Sequence, residues 1–204
     1  MLGGEEANLH LLVPTYLKLL DDFQRDASNV LEDLVVGAPP SFDKWYPPPP
    51  LGWVKINTDA TIFRELGVGL GWVARDHHRR ILEMGVKRRK EAWDATVAEA
   101  IAARVALSHV SARRWGNVIL ELDALGLIER LQSGSRGEAY LDVLLEDIRS
   151  LVPSFRSLMS SHVKRAGNTV AHLVARMSPT NGDEQIWNSS FPFAVTYLVD
   201  LDYQ

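Results

Sequence analysis

The stretch GWVKINTDATIFRELGVGLGWVARDHHRRILEMGV, residues 52–86, decides the fold. Residues 52–60 alternate: Val54, Ile56 and Thr58 face one way, and Trp53, Lys55, Asn57 and Asp59 the other, as side chains of a β-strand do. This predicts a strand with Asp59 near its end. GVGLGWVARD (67–76) predicts a second strand, glycine-rich at its start. HHRR (77–80) is a turn and ILEMGV (81–86) a third strand. Strands joined by such short turns make an antiparallel meander.

Further along the chain, residues 94–113 predict a helix. Its buried side carries Val97, Ile101, Val105 and Leu107 or Ser108, and Ala98 and Ala102 allow close packing. NVILELD (117–123) predicts a strand whose last residue is Asp123. Helices follow at 124–132 and 139–152, separated by the loop SGSRGE (133–138). Residues 155–163 form a fifth strand, and a last helix over 167–177 is stopped by Ser178 and Pro179. The order βββ-α-β-α-α-β-α implies an α/β fold: one five-stranded mixed sheet, three antiparallel strands then α/β crossovers, with helices on both faces.

Toward the N-terminus, residues 9–26 predict a short helix, with Pro14 in its first turn and Tyr16, Leu17, Leu20 and Phe23 at helical spacing. Residues 27–50 read as a linker, because Pro39, Pro40 and the run Pro47–Pro50 favour extended polyproline backbone. The chain thus divides into a helix and proline-rich linker (1–50), a folded domain (51–178) and an aromatic tail (179–204). Trp187, Phe191, Phe193 and Tyr197 make that tail too apolar to stand in water, so it is expected to pack on the domain or on a partner.

Composition narrows the function. The chain has 204 residues, 46% of them hydrophobic and 24% charged, ordinary proportions for a water-soluble domain. The net charge of −4 gives no overall basic character, so any nucleic-acid site must be local or assisted by bound cations. There is no cysteine, which removes disulfides and thiolate metal sites. No apolar stretch approaches a membrane span, and MLGGEEANLH lacks the basic flank and apolar run of a signal peptide. The expectation is a soluble intracellular protein, of nucleus or cytoplasm, with no membrane partner.

Asp59, Glu99 and Asp123 stand out by position. Asp59 and Asp123 end strands, and Glu99 lies in the first turns of the long helix. Acids at strand ends of an α/β sheet project into the crevice where such folds place their sites. If the first and fourth strands are neighbours, the two aspartates lie side by side, and the helix packed across them brings Glu99 to the same spot. Clustered carboxylates repel one another unless a cation joins them, and hard divalent ions are the natural partner. Each acid alone also has an ordinary reading, as a turn-forming strand end or a solvated acid near a helix N-terminus.

KINTDA, GVGLGWVARD, AEAIAARVAL, VILELDALGLI and HVKRAGNTVAHLVA occur in this order. Together they resemble a type 1 ribonuclease H domain over about residues 51–178. The resemblance extends to the plant family related to the ribonuclease H portions of non-LTR retroelement reverse transcriptases. It implies that Asp59, Glu99 and Asp123 are metal-binding catalytic acids. It also implies two-metal-type endonucleolytic hydrolysis of the RNA strand of an RNA–DNA hybrid, with Mg2+ or Mn2+ as cofactor. Hybrid or another nucleic acid is then the partner.

The family usually has a fourth acid four residues after an asparagine in the last helix. Here Asn168 is followed by His172. Histidine exchanges protons near neutral pH, so His172 joins the catalytic candidates. The short HVKRAGN (162–168) leaves no room for a mobile histidine loop, and His162 itself falls in the strand. Family substrate contacts are replaced around Ala95 and Thr96 and at Ala124. In place of a basic protrusion, SGSRGEAYLD (133–142) offers only Arg136. Candidate nucleic-acid contacts are Lys87, Arg88 and Arg89 at the end of the third strand, with Lys90 beside them, and Lys164, Arg165 and Asn168 before the last helix. His77 and His78 read as exposed turn residues, and Trp53 and Trp72 as core or rim packing. Two readings stay open: an active hybrid ribonuclease, or a domesticated, catalytically weak or inactive ribonuclease H fold that binds nucleic acid or protein.

Overall fold

In a computed structural model the chain is described over residues 47–64, 66–134, 137, 139–179 and 184–201. The expected helix at 9–26, most of the proline linker and Arg136 lie outside the described residues. The alternation in 52–60 becomes β1 (Trp53–Phe63), followed by β2 (Gly67–Arg75) and β3 (Ile81–Arg89). β1 pairs antiparallel with β2, and β2 with β3, as the short connections require. Asp76 builds the turn between β2 and β3 by accepting the backbone N–H groups of His78 and Arg80 at 2.9 Å each.

The long helix α1 (Ala95–Ser111) carries the chain across one face of the sheet. Its cap is Asp94, whose carboxylate accepts the N–H of Val97 at 2.9 Å. β4 (Asn117–Leu122) then enters parallel to β1, on the side away from β2. Helices α2 (Leu125–Ser133) and α3 (Ala139–Ser150) lead to β5 (Ser157–His162), parallel to β4. A short 3-10 turn (Arg165–Asn168) opens helix α4 (Thr169–Arg176).

The sheet has six strands, not the expected five, in the order β5-β4-β1-β2-β3-β6. The extra strand is β6 (Glu184–Trp187), which pairs antiparallel with β3 from within the stretch read as a tail. Helix α5 (Phe193–Leu201) follows, and Val195 and Val199 bury themselves with Val170 and Val174 of α4. The segment therefore packs back on the sheet and core through Trp187, Phe191, Val195 and Val199, whereas Phe193 and Tyr197, expected to be covered, are exposed. A four-residue strand lacks the length for an alternation pattern to be read, so it does not show in sequence.

Two cores sandwich the sheet. On one face Ile56, Leu70, Trp72 and Leu120 meet α1, α2 and α3. On the other, Val73, Met84 and Val86 meet α4 and α5. On this second face β2 is glycine at two successive positions. A Cβ on Gly71 would stand 2.3 Å from the backbone nitrogen of Ala175, and one on Gly69 2.2 Å from the Ala175 carbonyl oxygen. Bare backbone there lets α4 approach β1 and β2 closely, which brings the helix side chains to the strand that carries Asp59. No helix among the described residues is long and apolar enough to cross a membrane.

Candidate metal centre

Asp59, Glu99 and Asp123 converge where the pairing of β1 with β4 ends. That point is the end of β4 but lies within β1, which continues to Phe63 and not, as the sequence suggested, only as far as Asp59. One carboxylate oxygen of each lies within 4.8 Å of the others. Each arrives by a different element. Asp59 is in β1, 4% exposed, on the α4 face. Asp123 is the first residue past β4, where the parallel pairing with β1 has just ended at Asn57 and Glu121. Glu99 comes from the second turn of α1, and its Oε1 accepts the backbone N–H of Ala60 at 3.1 Å. Its Oε2 is buried without a hydrogen-bond partner among the described residues.

His172 completes the group from α4: its Nδ1 lies 2.8 Å from Asp59 Oδ2, and the imidazole is about one-third exposed (34%). An ionised carboxylate only accepts, so the Nδ1–H donates to Asp59 and Nε2 is left as the ring's other polar atom.

The electrostatics are those of a site that lacks positive charge. Burial pushes the Glu99 carboxyl up to about 9, and the charges of Asp59 and then Asp123 push in the same direction. The Ala60 N–H and Arg165 oppose them. Asp123 is likewise raised, by burial first and Asp59 second, against the pull of Arg165 and His172. Without a cation the acids hold a proton in the cluster; a divalent ion would displace it. Three hard oxygen donors, one with an orphaned buried lone pair, fit such an ion.

Two residues back along β1 and β4 lies a second layer built the same way. Asn57 Nδ2 donates to Glu121 Oε2 at 3.0 Å and to Asn168 Oδ1 at 3.2 Å. Asn168 Nδ2 donates to the Thr58 carbonyl at 2.9 Å. The acid of this layer has protein cations: Lys55 Nζ is 2.6 Å from Glu121 Oε1, and Arg75 Nη2 donates to Asn57 Oδ1 at 3.3 Å. Burial lowers the Lys55 ammonium, and Glu121 counters it. Thus Glu121, Asn57 and Asn168 repeat, one step lower, the arrangement of Asp123, Asp59 and His172. The lower layer is neutralised from within; the upper one is not. Lys55, Arg75 and Glu121 were missed as site residues. The available signal was charge at strand positions on the Asp59 face: Lys55 four residues before Asp59, Glu121 two before Asp123, and Arg75 at the end of β2.

The cationic candidates divide. Lys164 and Arg165 are exposed, and the charge of Arg165 reaches both Glu99 and Asp123. Arg88 does not belong with them. It is 4% exposed, donates to the Ser178 carbonyl at 2.9 Å and stacks over the Phe63 ring at 3.7 Å, so no phosphate can reach it. Asn168, 1% exposed and spent on Asn57 and Thr58, is also no surface contact. Lys87 and Arg89 are in register with Leu70 and Val68, which puts them on the α1 face, opposite Asp59; Lys87 Nζ is 3.5 Å from Glu184. Sequence alternation carries this split: only Arg88 of the run shares the Asp59 face, and α4 covers that face. Trp72 is fully buried and stacks on His109 at 5.0 Å, while His78 is exposed in its turn.

Among solved structures, the chain is similar to RNase H1 of the halophilic archaeon Halobacterium salinarum, at 22% identity over 60% of this chain and 93% of that one, with a TM-score of 0.55. The N-terminal RNase H domain of a Mycobacterium tuberculosis protein is similar at 21% identity, over 60% of this chain and 89% of that one, with a TM-score of 0.54. An RNase H1 solved in complex with an RNA/DNA hybrid is similar at 21% identity, over 59% of this chain and 92% of that one, with a TM-score of 0.53. No curated protein matches the chain. The model of the family described as reverse transcriptase-like matches residues 57–178, more than half of the sequence. By that match the chain belongs to the reverse transcriptase-like family, and it has the RNase H-like fold.

Proposed function

We propose that this chain is a divalent-cation-dependent ribonuclease that cuts the RNA strand of RNA–DNA hybrids. The observation that carries the reading is the convergence of Asp59, Glu99 and Asp123, one oxygen each within 4.8 Å, in an RNase H-like fold. A similar RNase H1 is itself bound to an RNA/DNA hybrid. The three carboxylates would hold Mg2+ or Mn2+, which supplies Lewis-acid activation of water and charge stabilisation at phosphorus. The chain's own residues do the rest. The Ala60 N–H fixes Glu99 through Oε1 and leaves Oε2 for the ion. The His172 Nδ1–H fixes Asp59, and His172 Nε2 takes or gives a proton at the edge of the cluster. Arg165 and Lys164 offer charge to the backbone phosphates beside it.

A second reading is favoured by the fourth position, where His172 stands instead of an acid, and by the net charge of −4. It makes the domain a nucleic-acid-binding module with little turnover. Labelled hybrid with Mg2+ or Mn2+ separates the two. The expected result is RNA-strand products with 5′-phosphate and 3′-hydroxyl ends, reduced at least about a hundredfold in Asp59→Asn and Asp123→Asn. Absence of cleavage by the wild type, or cleavage unchanged in both variants, would sink the catalytic reading. Salt-dependent hybrid binding without cleavage would establish the second.

A further inference from the structure

The two layers described above share one spacing. Asn57 and Asp59 are separated by one strand repeat, about 6.6 Å, and Asn168 and His172 by four helical residues, about 6 Å. β1 and α4 therefore run side by side with matched steps. Asn57 meets Asn168 on the lower step, and Asp59 meets His172 on the upper one. Asn168 stands at the N-terminal cap of α4, yet its side chain makes no capping bond to the helix. It turns instead to the strand, giving Nδ2 to the Thr58 carbonyl and Oδ1 to Asn57. That forgoes the capping bond such a residue ordinarily supplies. Asn57 is itself gripped by Glu121 and Arg75, and Glu121 by Lys55, so Asn168 docks on a braced platform rather than on one flexible amide.

We propose that Asn168 is a positioning residue: anchored on Asn57 and Thr58, it fixes the height of α4 so that His172 Nδ1 meets Asp59. The role in turnover rests on the ribonuclease reading above; the geometric role does not. The lower layer acts as a ruler for the upper one. In this arrangement the buried charges Lys55, Arg75 and Glu121 brace Asn57 and so hold that ruler in place. Loss of the Asn168 amide leaves the Thr58 carbonyl and the Asn57 amide buried without this partner. α4 then keeps its apolar contacts and the seat of Ala175 on Gly69 and Gly71, but loses the polar tie to β1 at its N-terminal end, one turn from His172.

The test compares Asn168→Ala with Val170→Ala, which loosens the same helix through its apolar side. The readout is the side-chain 15N spectrum of His172, which reports whether one tautomer with a bonded Nδ1–H persists. Wild type and Val170→Ala are expected to show one locked tautomer, and Asn168→Ala averaged signals. Asn168→Ser, smaller but still polar, is to show the same averaging and serves if the alanine variant does not fold. On hybrid, Asn168→Ala is expected to lower kcat about tenfold or more with KM changed less than about twofold, and to have little effect in a His172→Ala background. A locked His172 signature in the Asn168 variants, or the same averaging in Val170→Ala, overturns the proposal. If wild type cleaves no hybrid, the ribonuclease reading fails, while the 15N comparison still decides whether Asn168 positions His172.

Discussion

Glu99 shows how a single side chain reports on the site. Its carboxyl is raised from 4.5 to about 9, by burial and then by Asp59 and Asp123. A raised acid favours the native state only while it is protonated. Its stabilisation is fully present below the unfolded value, and it is lost as pH rises through the folded value near 9. The ion-free protein should therefore lose stability progressively between about pH 4.5 and about pH 9, and Glu99→Gln should flatten that slope. At the alkaline end Glu99→Gln is expected to melt several degrees above the ion-free wild type, a difference of about 1 kcal/mol or more. Saturating Mg2+ or Mn2+ should reverse the order, raising the wild-type Tm and leaving Glu99→Gln nearly unmoved. Thermal melts with and without the ion check both statements. Calorimetry in buffers of different ionisation enthalpy should also show proton release on binding below about pH 9. A wild type whose melt is flat with pH and indifferent to the ions would remove the metal centre.

At the scale of elements, the decisive contact is helix α4 on the glycine-rich strand β2. The missing Cβ of Gly71 lets Ala175 sit against the strand. Gly71→Ala must push α4 outward against a rigid backbone neighbour, at a cost of about 1–3 kcal/mol. Because Asn168 and His172 ride on the same helix, the variant should also lose hybrid cleavage, and denaturant unfolding with a parallel assay measures the two effects. An unaltered midpoint would mean that α4 is not seated as described. This element level is also where the sequence was most and least legible. β1 was readable because one face is apolar and the other charged, and α1 because its apolar positions recur at helical spacing. Glu99 and Asp123 were readable because helix starts and strand ends are set by local pattern; Asp59 was readable from alternation on the polar face, although β1 continues past it to Phe63 rather than ending there. The lower layer was not, since whether Lys55 and Glu121 are solvated or paired depends on which helix covers them. Arg88 misled for the same reason: a run of basic residues reads as surface, yet alternation turns one of them under α4.

For the whole molecule, the acidic balance limits how nucleic acid can be held. With a net charge of −4, affinity has to come from the few cations beside the cluster and from the ion itself. Arg88 is withdrawn into the core, and Lys87 and Arg89 sit on the opposite sheet face, so the proposed hybrid-binding reading assigns the phosphate contacts to Lys164 and Arg165. The salt dependence of hybrid binding should then be shallow. Each phosphate neutralised contributes roughly 0.9 to the slope of log K against log salt, and two contacts give a slope of about −2. Lys164→Ala and Arg165→Ala are each expected to reduce it by about 1, weakening binding uniformly across hybrid sequences. Arg88→Ala should leave the slope unchanged while lowering Tm, because it removes the tie to Ser178 and the stacking on Phe63. Titrations at several salt concentrations decide the matter. A slope that ignores Arg165 and falls with Arg88→Ala would require the hybrid to approach a face of the sheet that α4 now covers.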